Sequence, residues 1–113
     1  MTSDIRDEIL SRNLYMCEYQ GCTNRATEVA HRIAKTKENI KMAQRIARDM
    51  FSKDLTKEEV VKNIIDNPIN CAASCRMHND YFNTGYYTVA VMAIIQQCLE
   101  DIYGEAIISS NYR

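Results

Sequence analysis

The chain has 113 residues, 46% of them hydrophobic and 26% charged, with a formal net charge of -1. That length fits one domain with a modest core, and a single Pro and three Gly exclude a low-complexity or collagen-like chain. The near-neutral balance excludes a globally basic nucleic-acid binder, so any basic surface must be local.

Residues 3–14 read as an N-terminal helix, capped by Ser3, with Ile5, Ile9 and Leu10 on one stripe. No apolar leader opens the chain, and the longest apolar run, Thr88 to Ile95, is too short to cross a bilayer. The five Cys are an odd count, which suits metal binding better than a disulfide framework. A cytoplasmic protein with no membrane partner is the expectation.

Residues 15–27 read as a knuckle, with Gly21 between Cys17 and Cys22, and residues 27–33 as a strand with Val29, His31 and Ile33 on one face. Two helices come next. The first, 37–51, has Thr36 as its cap and Ile40, Ala43, Ala47, Met50 and Phe51 on one face. The second begins with the capping-box pattern Thr56-x-x-Glu59 and stops at Asn67-Pro68. Residues 69–74 read as extended, and 77–84 as a short helix. A last helix, 86–103, is apolar over most of its circumference and stops at Gly104. Such a helix is either wrapped by its own domain or used to form a homodimer.

Charge is uneven along this order. From Arg32 to Arg48 there are six basic residues (Arg32, Lys35, Lys37, Lys41, Arg45, Arg48) against Glu38 alone. Such a run is usually a solvated helix face; its neighbours give it more weight.

Those neighbours are two ligand pairs, Cys17-x4-Cys22 and Cys75-x2-His78. Each spacing lets a tight turn present two donors to one tetrahedral ion, so a structural zinc held by Cys17, Cys22, Cys75 and His78 is expected. Cys71 competes with Cys75 for the role, whereas Cys98, on an apolar helix face, reads as a buried free thiol.

Glu28-Val29-Ala30-His31-Arg32-Ile33, Asn67-Pro68-Ile69-Asn70 and Cys75-Arg76-Met77-His78-Asn79-Asp80-Tyr81-Phe82-Asn83 together resemble the HNH, or ββα-metal, endonuclease family. The resemblance implies a mostly helical α+β fold: a ββα-metal core with Cys/His zinc knuckles and flanking helices. It covers residues 17–83 and implies a single domain, 1–113, whose zinc-bound core runs over 15–83 with a helical insertion at 36–66. It makes His31 the general base, Asn70 the residue that orients it through its side-chain oxygen, and Asn79 and Asn83 ligands of a catalytic Mg²⁺ or Mn²⁺. Asn79 and Asn83 would share one helix face, four residues apart. Neutral imidazole suits the base, and amide oxygens suit a hard ion.

One position departs from the family. Ala30 stands where many members carry a metal ligand, which predicts weak metal affinity and leaves Glu28 as the candidate replacement. The function implied is metal-dependent nicking of double-stranded DNA with little sequence preference. Arg25, Arg32, Lys35, Lys37, Lys41, Arg45 and Arg76 would contact phosphates. The alternative is a zinc-containing DNA-binding module whose nuclease site has decayed.

Overall fold

The computed structural model describes residues 1–104. Two short antiparallel strands, β1 (Glu28–His31) and β2 (Cys71–Ser74), lie far apart in sequence and pair with His31 opposite Cys71 and Ala30 opposite Ala72. Helix α1 (Ser3–Ser11) precedes β1. Between the strands come α2 (Lys37–Phe51) and α3 (Lys57–Val60), the latter running on through a π turn at Val61–Ile65. After β2 come a 3-10 helix at Arg76–Phe82 and the last helix, α4 (Val89–Tyr103). The fold is α+β and mostly helical. None of its described helices is long and apolar enough to cross a membrane.

All four residues of β2 are buried, because the sheet is covered on both faces. On one side Cys71 and Ala73 pack with Ala26 and with Ile9 of α1. On the other Ala30 and Ala72 pack with Cys17, Cys75 and Phe82. A strand sandwiched so closely has no polar face to show and room only for small side chains, hence Cys-Ala-Ala-Ser. The second, larger core is helical. Ile40, Ile46 and Phe51 of α2 meet Val60, Ile64 and Ile65 and the Val91, Ile95 and Leu99 face of α4.

Helix starts follow the caps in the sequence, with one shift. Thr36 Oγ1 accepts from Asn39 N at 3.1 Å, and Thr56 and Glu59 form a reciprocal capping box. The cap of α1 is Thr2, whose Oγ1 accepts from Ile5 N, rather than Ser3. In α2 the expected inward Met50 is exposed, and Met42 and Ile46 fill the core instead. Helix α4 begins three residues later than expected, behind the Thr88 cap, so Tyr86 and Tyr87 lie outside it. It packs within its own domain through Val91, Ile94, Ile95, Cys98 and Leu99. In place of the regular helix expected at 77–84, the segment is a 3-10 helix that ends at Phe82, leaving Asn83 in an extended conformation.

Candidate metal centre and adjoining cavity

The first knuckle is shaped by backbone bonds. Cys17 N donates to Asn24 O, Cys22 N to Tyr19 O, and Gly21 takes φ 81°, a left-handed conformation that costs a glycine nothing. Glu18 ties this loop to the sheet: its N–H donates to Ala73 O, and its carboxylate accepts from Ala73 N and from Arg12. The second knuckle is the start of the 3-10 helix, where His78 N donates to Cys75 O.

Together they bring Cys17, Cys22, Cys75 and His78 into one cluster, with every donor atom within 4.8 Å of the others. Cys22 Sγ lies 3.9 Å from Cys75 Sγ, and His78 Nδ1 lies 3.4 Å from Cys75 Sγ and 3.9 Å from Cys17 Sγ. A tetrahedron with zinc–sulfur bonds near 2.3 Å and a zinc–nitrogen bond near 2.0 Å has edges of about 3.8 Å and about 3.5 Å. The four donors are therefore close enough together to hold a single ion such as zinc. The Tyr19 ring stacks on His78 at 4.2 Å and fixes the plane of the imidazole.

Burial pushes the Cys75 thiol up, but hydrogen bonds from the His78 backbone, the Asn24 amide, Cys17 and Cys22 outweigh it and bring the group down to about 6. Cys22 moves upward: the Asn24 N–H lowers it, and burial and the neighbouring thiols overcome that. Cys71 and Cys98 stand apart from the cluster, and burial raises both to about 12. The competition between Cys71 and Cys75 is thus decided by the fold. Cys71 points to Ile65 O on the α1 side of the sheet.

A polar cavity of about 180 Å³ lies beside this cluster, lined by Val29, His31, Ala34, Lys35, Asn79, Asp80 and Asn83. Three residues singled out from sequence, His31, Asn79 and Asn83, therefore share one wall system. His31 is held by a group that the sequence did not suggest. Its Nε2 lies 3.1 Å from Oδ1 of Asp66, a carboxylate only 7% exposed. A neutral imidazole donates its Nε2 proton to that carboxylate, which leaves the lone pair on Nδ1.

Asn79 is oriented in a comparable way. Its Nδ2 donates to Glu28 Oε1 at 3.0 Å. A carboxylate only accepts, so the amide must turn its NH₂ toward Glu28 and keep its oxygen for another partner. Glu28 also pairs with Arg76 at 3.6 Å and is not among the cavity's lining residues. Its position is that of a support for Asn79 rather than the substitute ligand expected in place of Ala30. Ala30 itself is buried under Cys17, Cys75 and Phe82. Asp80 lines the cavity and is the carboxylate nearest in sequence to Asn79.

Two expected roles change. Asn70 does not bond to the His31 ring. Its fully buried carboxamide accepts from Ile33 N at 2.8 Å and donates to Ile33 O and Ile65 O. It clamps the chain two residues beyond His31, so any influence on the imidazole passes through the backbone. Asn83 is not on a helix face with Asn79; it lies just past the 3-10 helix, and its Oδ1 accepts from Gly85 N.

The proposed phosphate-contacting residues divide. Arg25, Lys35, Lys37, Lys41, Arg45 and Arg76 are exposed, and Lys35 reaches the cavity. Arg32 is half-buried, with its guanidinium 5.3 Å from the centre of the Phe82 ring. Compared with known proteins, the chain matches no protein-family profile, no curated sequence and no solved structure.

Proposed function

We propose that the chain is a small endonuclease of the HNH type, cutting one strand of DNA at the cavity shared by His31 and Asn79. The observation that carries the reading is that convergence: two residues 48 positions apart line one polar cavity beside a Cys/His cluster. Each of the two residues is also held by a carboxylate, His31 by Asp66 and Asn79 by Glu28.

In this reading the zinc bound by Cys17, Cys22, Cys75 and His78 is structural, fastening the knuckle loop and the 3-10 helix against the sheet. A hydrolytic water gives its proton to His31 Nδ1 while its oxygen forms the new bond to phosphorus. The bond from phosphorus to the 3′-oxygen breaks, and that oxygen takes a proton from solvent. Asp66 keeps the imidazole in the correct tautomer and steadies the imidazolium that forms. Asn79 Oδ1 and the Asp80 carboxylate would hold a divalent ion, Mg²⁺ or Mn²⁺. Bound there, it would supply positive charge to the phosphate and the leaving oxygen. Asn83, engaged with Gly85, is the weaker candidate ligand. Lys35 at the cavity wall and Arg25 and Arg76 near the knuckles would contact neighbouring phosphates.

The test is relaxation of supercoiled plasmid by the zinc-loaded protein. Open circles should accumulate with Mn²⁺ or Mg²⁺, and EDTA should stop the reaction. A second reading, a DNA-binding module without catalysis, is favoured by Ala30, which offers no donor. DNA binding without nicking under any divalent ion would select it.

A further inference from the structure

A second cavity, of about 200 Å³, is walled by Glu38, Lys41, Met42 and Arg45 of α2 and by Tyr86 and Tyr87 of the segment before α4. Two stretches of chain tie it to the first. Lys35 lines the first and Glu38 the second; Asn83 lines the first and Tyr86 the second. Three residues of fully extended chain span at most about 11 Å. The two cavities are therefore neighbours, separated by a distance that a nucleotide or two can cover.

The lining is unusual for a surface that serves only stability. Tyr86 is 55% exposed and Tyr87 38%, and their rings stand nearly perpendicular with centroids 4.9 Å apart. Tyr87 has φ 55°, a conformation rare for a bulky aromatic residue. It is held there by its N–H, which donates to the sulfur of the buried Met42 at 3.3 Å. Strain of this kind persists only where the surrounding structure fixes it. Lys41 and Arg45 sit one turn apart on α2, and among the described residues neither forms a salt bridge. Two cations and two exposed rings around a concavity of single-ring size match one nucleotide: the cations suit its phosphate and the rings suit its base.

We propose that this cavity binds an unpaired nucleotide of the substrate strand. The inference rests on the nuclease reading of the adjoining cavity and adds to it a preference for nucleic acid with a single-stranded tail or fork beside the cleaved bond. Lys41 and Arg45 hold the phosphate, one of the two perpendicular tyrosine rings stacks on the base while the other meets its edge, and the Glu38 carboxylate accepts from a base N–H. A duplex without a break keeps its bases stacked on one another and cannot offer that face.

The test is fluorescence anisotropy with the full zinc-loaded chain and no added divalent ion. A blunt duplex is compared with the same duplex bearing a short unpaired tail. The tail should tighten binding about tenfold. Tyr86→Ala with Tyr87→Ala should abolish that gain, and Tyr86→Phe with Tyr87→Phe should restore it. Zinc content and unfolding temperature report that each variant is folded. Equal affinity of the wild-type chain for the two DNAs would overturn the proposal. So would a gain that survives in the folded alanine variant, or tighter binding of a phosphotyrosyl peptide than of the tailed duplex. Wild-type nicking of closed plasmid is scored separately. Nicking without a tail preference removes only this subsite, and a tail preference without nicking removes only the nuclease reading.

Discussion

At the scale of single residues, two of the side chains at the cavity are each held in a fixed direction by a carboxylate. Asp66 does this for His31, and Glu28 does it for Asn79. Replacing Asp66 with Asn keeps the shape but lets either tautomer of His31 form. Nicking should fall on the order of tenfold, with zinc content unchanged by elemental analysis. The thiols make a separate prediction. With zinc bound, an alkylating reagent should modify none of the five Cys. After chelation Cys17, Cys22 and Cys75 should react, while Cys71 and Cys98, buried and raised to about 12, stay protected until unfolding. Mass spectrometry counts the adducts; early labelling of Cys71 would place it among the ligands. The four clustered donors were legible as two spacings in the sequence, and the cavity positions His31 and Asn79 were singled out by the resemblance. Asp66 was not, because an acid just before Asn67-Pro68 looks like any residue at a helix end.

At the scale of elements, the position of Asp66 has a visible cause. The helix from Lys57 widens into a π turn at Val61–Ile65, closed by Asp66 N donating to Val61 O at 2.8 Å. One extra residue in a turn rotates the chain beyond it by about 100° relative to an unbroken α-helix. No composition cue marks this, which is why the capping box was readable and the end of the same helix was not. Asn70 gives the sharpest stability prediction. Its amide makes three hydrogen bonds at 0% exposure, joining the end of β1 to the start of β2. Asn70→Ala should cost about 3 kcal/mol and lower the unfolding temperature by about 12 °C, measured by calorimetry. Thr56→Ala should cost only about 1 kcal/mol. The partner in that capping box, Glu59, is held below its usual range by the Thr56 backbone and hydroxyl. A depressed carboxylate stabilises the fold above its ordinary pKa, and the benefit fades as pH falls through the lowered one. The cost of Glu59→Ala should therefore shrink in acid, whereas the deficit of Thr56→Ala, a change that leaves the backbone N–H in place, should change little with pH.

At the scale of the whole molecule, the chain divides into a helical core and a smaller ββ-and-knuckle half. The smaller half buries mostly Ala and Cys around the four-donor cluster. So little apolar volume contributes little stability, and a bound metal would supply the rest, on the order of 10 kcal/mol in comparable sites. Removing zinc should release the knuckle loop and the 3-10 helix from the sheet, while Cys71 stays covered by α1 and the α2–α4 core keeps its helical circular dichroism. A chelator without effect on near-ultraviolet circular dichroism would count against a structural metal. Fold class, helix order and caps were readable because periodicity and punctuation are local signals. The pairing of β1 with β2 across more than thirty intervening residues was accessible only through the resemblance. The uncovered Tyr86–Tyr87 segment was hidden inside an apolar run that reads as continuous helix. Zinc-loaded wild-type protein and His31→Ala, compared on supercoiled plasmid in Mn²⁺, decide whether the chain cuts DNA through His31. Open circles are expected from the wild type, with a loss of about 10²- to 10⁴-fold in the variant; equal rates for the two, or no nicking by a wild type that binds the plasmid, would rule that role out.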